Sequence, residues 1–256
     1  MRFIVAAIFL STITSNAYAD SILGGWYGTN EGQAQGTVAV IFLADGEYVE
    51  VEDGSSILDP SGQNGMERGT YSWNPVTGAF SKNTLLNTDG EWGLSDSEAN
   101  SVTVSGNVLT AATPQGTFQL ARVSDPTSQI VGSWYFTDNP APGDLTVLTL
   151  LPNGQFLLAI DPPSGGYMEF GNYAWNKTTN AFVSSIVDST APAGLAINLP
   201  AFTSAGLLNG NLVLSSSLGS TTFAATVAPE PGTYATPIMG LGLAVFIARR
   251  KKQKTV

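Results

Sequence analysis

The chain carries one set of landmarks twice, in the same order, and that repetition constrains its architecture more than any other feature. Gly24-Gly25-Trp26-Tyr27 returns as Gly132-Ser133-Trp134-Tyr135. Val38 to Tyr48 (VAVIFLADGEY) returns as Thr146 to Phe156 (TVLTLLPNGQF), and Glu67 to Asn74 (ERGTYSWN) as Glu169 to Asn176 (EFGNYAWN). Ala79-Phe80 returns as Ala181-Phe182. Gly106-Asn107-Val108-Leu109 matches Gly210-Asn211-Leu212-Val213, and Thr117-Phe118 matches Thr222-Phe223. Trp26 and Trp134 lie 108 residues apart and Trp73 and Trp175 lie 102 apart, a period too long for a solenoid and long enough for each copy to build its own core. The expected organisation is a first copy over residues 20–123, a joint at 124–129 containing Asp125-Pro126, and a second copy over 130–227.

Within a copy the pattern is β throughout. Val38, Val40 and Phe42 alternate with Ala39 and Ile41 in an apolar run that ends at Asp45-Gly46, a strand and a tight turn. Tyr48, Val49 and Val51 are interleaved with Glu47, Glu50 and Glu52, which predicts a strand with one wet face. Thr70-Tyr71-Ser72-Trp73 places both aromatics on one side. Turn signals at Pro75-Val76-Thr77-Gly78, Gly106-Asn107 and Pro114-Gln115-Gly116 punctuate the rest, and no helical period is sustained before the tail. The expectation is an all-β protein: two tandem antiparallel meanders of about eight strands, each a barrel, with a sandwich as the alternative.

Composition narrows the chemistry. The chain has no cysteine and no histidine, which removes disulfides, thiolate sites, the commonest zinc ligand and every Ser-His-Asp arrangement. Acids outnumber bases 20 to 10, and between residues 20 and 228 the only bases are Arg68, Lys82, Arg122 and Lys177. Nucleic-acid binding needs basic side chains on a common face and is not expected. Neither a cofactor nor an enzymatic activity is expected. Asp89 and Glu91 are neighbouring acids on one turn, with nothing that sets them across a cleft.

The two ends read as addresses. Arg2, the apolar stretch Phe3 to Leu10 and the small-x-small site Ala17-Tyr18-Ala19 describe a secretory signal peptide over residues 1–19. At the other end come Pro229-Glu230-Pro231, an apolar segment over 234–248 that is short for a membrane span, and the basic stop Arg249-Arg250-Lys251-Lys252. Motif, short span and basic cluster in this order resemble the PEP-CTERM sorting signal of Gram-negative bacteria. That resemblance implies a sorting protease-transpeptidase of the exosortase type as first partner, acting near Pro229 to Pro231. It also implies transient residence in the inner membrane, then delivery to the cell surface or an extracellular matrix, with extracellular polysaccharide as a later partner.

The Gly-x-Trp openings, Gly24-Gly25-Trp26 and Gly132-Ser133-Trp134, resemble the first strand of lipocalin-like (calycin) barrels, in which a tryptophan plugs the closed end. Trp26, Tyr71 and Trp73, with their counterparts Trp134, Tyr173 and Trp175, are then either packing units of a β core or the lining of a seat for a saccharide or small apolar ligand. Trp92 has no counterpart in the second copy. Among the acids, Asp45, Asp53 and Asp59 are the residues that a calcium-stabilised adhesive protein would use, but their spacing matches no calcium-loop consensus and a solvated strand face is the expected reading, with no metal site. The expected role is therefore that of an exported, non-enzymatic surface or matrix protein, against a ligand-binding barrel or a calcium-stiffened adhesin.

Overall fold

A computed structural model describes residues 21–29, 37–53, 63–90, 93–114, 116–136, 144–163, 165–197 and 201–226. The signal peptide, the tail from residue 227 onward, Asp59, Glu91 and Trp92 lie outside them. Among the described residues every regular element is a strand. The first copy supplies β1 (Gly24–Thr29), β2 (Thr37–Phe42), β3 (Glu47–Glu52), β4 (Gly65–Trp73), β5 (Phe80–Asn87), β6 (Ser101–Ser105), β7 (Val108–Thr113) and β8 (Gly116–Arg122). The second supplies β9 (Gly132–Phe136), β10 (Leu145–Leu150), β11 (Gln155–Asp161), β12 (Tyr167–Trp175), β13 (Phe182–Ser189), β14 (Ser204–Leu208), β15 (Asn211–Ser216) and β16 (Gly219–Ala225).

Each copy is one antiparallel sheet of eight strands, in the order β5-β4-β3-β2-β1-β8-β7-β6 and its equivalent β13-β12-β11-β10-β9-β16-β15-β14. Sequential neighbours pair, and the last strand returns to pair with the first, so the order is that of a meander without Greek-key crossovers. Both sheets curl into half-barrels whose edge strands, β5 with β6 and β13 with β14, meet at single bridges, Ala79 to Ser101 and Ala181 to Ser204. Phe80 N donates to Asn100 O at 3.0 Å, and Val102 N to Gly78 O at 2.8 Å, on either side of the first bridge.

A bulge at the same place in both copies bends the sheet. Register slips between Arg68 and Gly69 and between Phe170 and Gly171, leaving Leu85 and Val187 as the extra, exposed residues of β5 and β13. Glycine is required there: a Cβ on Gly69 would lie 2.4 Å from Asn83 O and 2.5 Å from the Tyr48 ring, and one on Gly171 2.2 Å from Ser185 O.

The two copies align differently from the simplest sequence match in their last three strands. The hairpin turns Gly106-Asn107 and Asn209-Gly210 occupy the same position, since Ser105 pairs with Val108 and Leu208 with Asn211. Leu109 therefore corresponds to Leu212, both buried, and Leu120 rather than Phe118 corresponds to Phe223. The Gly-Asn and Thr-Phe matches are displaced by one and two residues respectively. A one-residue slip exchanges the faces of a strand, which is why burial decides the alignment that residue identity left in error.

Three apolar clusters hold the molecule. One fills the first half-barrel around Trp26, Val40, Phe42, Tyr48 and Phe80, and another fills the second around Trp134, Leu148, Phe156, Phe182 and Phe223. The third lies between the sheets and combines Ala39, Ile41, Val49, Val51 and Met66 with Val147, Leu157, Ala159, Met168 and Phe170. Both sheets thus belong to one compact unit. Strands β2, β3, β10 and β11 are covered on both faces, and this accounts for the largely apolar runs of β2, β10 and β11.

Burial on both faces corrects one expectation. Strand β3 has no wet face: Val49 and Val51 point to the second sheet, while Glu50 and Glu52 are only 4% and 2% exposed. Side chains alternate along a strand, so Tyr48, Glu50 and Glu52 share the inner face. Polar links add to the junction. Arg68 holds Glu47 of its own sheet at 2.9 Å and Asp161 of the other at 2.7 Å.

Candidate functional site

The six aromatics that sequence singled out are each tied to the framework through their polar atom. Trp26 Nε1 donates to Ile22 O at 2.7 Å and Trp134 Nε1 to Ile130 O at 2.9 Å. Tyr71 and Tyr173 donate to Leu43 O and Leu151 O at 3.0 and 2.8 Å. Burial pushes both phenols up to about 12, with Asp45 adding to Tyr71 and Asp125 to Tyr173. Trp73 Nε1 reaches from β4 to Val102 O on β6 at 2.8 Å, and Trp175 Nε1 from β12 to Ala205 O on β14 at 2.9 Å. The last pair spans the seam between the edge strands in each copy. The Arg122 guanidinium lies 4.0 Å over the Trp26 ring and donates to Ser21 O and Leu23 O, closing that end of the first half-barrel.

The most unusual chemistry lies inside the first half-barrel, beneath the loop that joins β5 to β6. Glu50 on β3 and Glu67 on β4 are cross-strand partners, and both are buried. Leu94 N donates to Glu50 Oε2, and Ser95 N donates to Glu67 Oε2 at 2.8 Å. The Ser95 hydroxyl donates to Glu67 Oε1, and Asn87 Nδ2 reaches the same oxygen at 3.3 Å. Two adjacent carboxyls thus clasp two consecutive amides of one turn. Tyr48 Oη stands 3.5 Å from Glu67 Oε2 and 3.3 Å from Thr84 Oγ1. Gly93 opens the turn, with Glu67 Oε1 2.7 Å from where its Cβ would be.

Like charges at this distance in a dry interior cannot both ionise cheaply. Burial, then Glu67, Glu52 and Asp89, hold the Glu50 carboxyl well above the usual carboxylate range. Burial also raises Glu67, opposed by the Ser95 hydroxyl and amide and reinforced by Asp96, with Glu50 its direct neighbour across the strands. Lys82, on β5, donates to Ser97 Oγ at 3.3 Å; burial lowers its pKa against the pull of Glu67, Glu50, Asp96 and Glu98.

The second copy keeps half of this arrangement. Glu169 stands where Glu67 does, accepts from Ala196 N at 2.6 Å, and occupies the space that a Cβ on Gly194 would need. Burial raises its carboxyl, opposed by the amides of Ala196 and Leu195. The rest is apolar: Leu158 replaces Glu50, Ile160 replaces Glu52 and Phe156 replaces Tyr48. One signal for this site was present in sequence. Glu67 and Glu169 recur on the inward face that carries Tyr71, Trp73, Tyr173 and Trp175, so a repeated acid among repeated aromatics was readable. Its pairing with Glu50 was not.

The acids considered for calcium are dispersed in role. Asp45 Oδ1 accepts Glu47 N at 3.0 Å across a turn, Asp53 is buried at the end of β3, and Asp59 lies outside the described residues. Among the described residues no group of three acids is placed to hold a metal ion. A shallow hollow of about 420 Å³ opens at the β4–β5 turn, lined by Ser72, Trp73, Asn74, Pro75, Ala79, Phe80 and Ser81. No helix among the described residues is long and apolar enough to cross a membrane.

Comparison with the curated proteins and with the solved structures gives no match. Comparison with protein-family models gives one for the tail: residues 227–252 match the PEP-CTERM protein-sorting motif, covering Pro229-Glu230-Pro231 and the basic stop, so this chain carries the signal of an export and sorting system.

Proposed function

We propose that this is an exported, non-catalytic protein of a Gram-negative bacterium, delivered by exosortase-type processing to the cell surface or the extracellular matrix. Its two half-barrels serve there as one rigid, filled body. The observation that carries the reading is the sorting motif at residues 227–252. Support for a structural role comes from the interiors. Trp26, Phe42 and Tyr48 in one copy, and Phe156 and Phe182 in the other, are fully buried where a ligand-carrying barrel would keep space.

The test is intact mass of the protein from its native host, cells and medium measured separately, beside Glu230→Ala and Pro231→Ala variants. Loss of the tail near Pro229 to Gly232, blocked by the substitutions, is the expected result. A full-length tail on membrane-bound protein, indifferent to the motif, overturns the reading.

A second reading, a saccharide seat, is favoured by the hollow beside Trp73, where a half-buried indole meets serine and asparagine side chains. The eight-strand meander supports the lipocalin-like resemblance behind it. Titration with matrix oligosaccharides, monitored by tryptophan fluorescence, separates the two: a saturable change lost in Trp73→Phe supports the seat, and no change removes it.

A further inference from the structure

We propose that the first half-barrel contains an alkali-sensitive clasp: Glu50 and Glu67 share one proton across β3 and β4, together hold the Leu94–Ser95 turn, and release the β5–β6 loop when that proton is lost. The inference is independent of the export reading, since it concerns the folded body alone.

Three observations carry it. The pair is built into paired strands, so the two side chains leave the sheet side by side on the same buried face. Each carboxyl accepts from a different amide of the same turn, Leu94 N and Ser95 N, so the pair and the turn are one hydrogen-bonded unit. That turn belongs to the connection between the two edge strands, β5 and β6, which meet directly only at the Ala79–Ser101 bridge. The clasp therefore fastens the Leu94–Ser95 part of that connection to β3 and β4.

Strand β3 and the loop both add to the same electrostatic bias. Strand β3 presents Glu52 and the phenol of Tyr48, and the loop presents Asp89, Asp96 and Glu98. Among the described residues Lys82 on β5 is the cation facing them, and it is spent on Ser97 in the same loop. A second negative charge on the pair thus enters a site already rich in carboxyls and poor in water. The cheapest relief is to let water reach Glu50 and Glu67, which means lifting the turn. The second copy is the built-in control, because Leu158 stands in place of Glu50 beside Glu169.

The test is hydrogen exchange of the full chain in detergent from pH 5 to 9, as protection factors for peptides covering residues 93–99 and 194–197. Protection of 93–99 is expected to fall about tenfold per pH unit once the shared proton is lost, with a smaller change at 194–197. Glu50→Leu, which copies the second repeat, is expected to make the two loops respond alike. A flat response at 93–99 in the unsubstituted protein overturns the proposal, and so does an undiminished one in Glu50→Leu. Should Glu50→Leu fail to fold, infrared spectroscopy of the unsubstituted protein decides. A protonated-carboxyl band lost as pH rises from 5 to 9, in step with exchange at 93–99, supports the clasp; a band that changes out of step with that exchange, or none at all, sinks it.

Discussion

Replacing Leu157 with alanine tests whether the two sheets fold as one. Leu157 is fully buried on β11 in the cluster between the sheets, and its strand partner is Phe170, another member of that cluster. The substitution removes about three carbons' worth of burial, ~2.4 kcal/mol at ~0.8 per methylene. The cavity left behind adds to this, and buried leucine-to-alanine changes span about 2–5 kcal/mol. A loss of about 3 kcal/mol corresponds to a fall in Tm of roughly 6–12 °C for a folded body of this size. The comparison is Leu212→Ala, whose side chain is equally buried but packs only within the second half-barrel. Calorimetry should show one transition for the unsubstituted protein, displaced as a single peak by Leu157→Ala. Because the shared cluster draws Ile41, Val49 and Met66 from the first sheet, that sheet should lose stability together with the second. Two resolved transitions, with Leu157→Ala moving only one of them, would refute the coupling. The interface would then be a contact between independent domains.

Stability should also depend on pH in a direction opposite to that of most carboxylate-bearing proteins. Glu50, Glu67 and Glu169 are all raised when folded, so their stabilising contribution is complete below the unfolded carboxylate value of about 4.3 and is lost as pH rises through the folded values. Urea midpoints at pH 5 and pH 8 should show the fall, and Glu50→Leu should flatten it; a midpoint that rises with pH contradicts the sign. Gly171→Ala should cost about 1–3 kcal/mol, since its Cβ would enter the space of Ser185 O, and a melt unchanged within error would show that the bulge can open. Trp175→Phe should cost about 1 kcal/mol by removing the bond to Ala205 O, with faster exchange along β14 as its signature.

Much of the architecture could be read from the chain because it is local. Alternation along Val38 to Phe42 and Thr70 to Trp73, turn residues at regular intervals and the twofold recurrence of the landmarks led to two eight-strand meanders. The tail was legible for the same reason, its message being a short contiguous motif. The candidate site was only half legible. Glu67 and Glu169 repeat with the aromatics of β4 and β12, whereas Glu50 looked like one member of a wet stripe.

The difference lies in what each strand packs against. Sequence determined the strand pattern, the turn positions and the sorting signal, since each depends on residues close together in the chain. Whether β3 meets water is set by the second sheet, which is remote in sequence. Leu157, Ala159 and Phe170 cover the outer face of the first sheet, where Val49 and Val51 lie, and Glu50 and Glu52 are left to the interior. The alignment of the last hairpins was likewise settled only by register, because a shift of one residue changes no composition and reverses every face. Tertiary packing, not local pattern, turned Glu50, Glu52, Glu67 and Asp89 into a buried cluster, because desolvation acts through space and leaves no periodic mark on the chain.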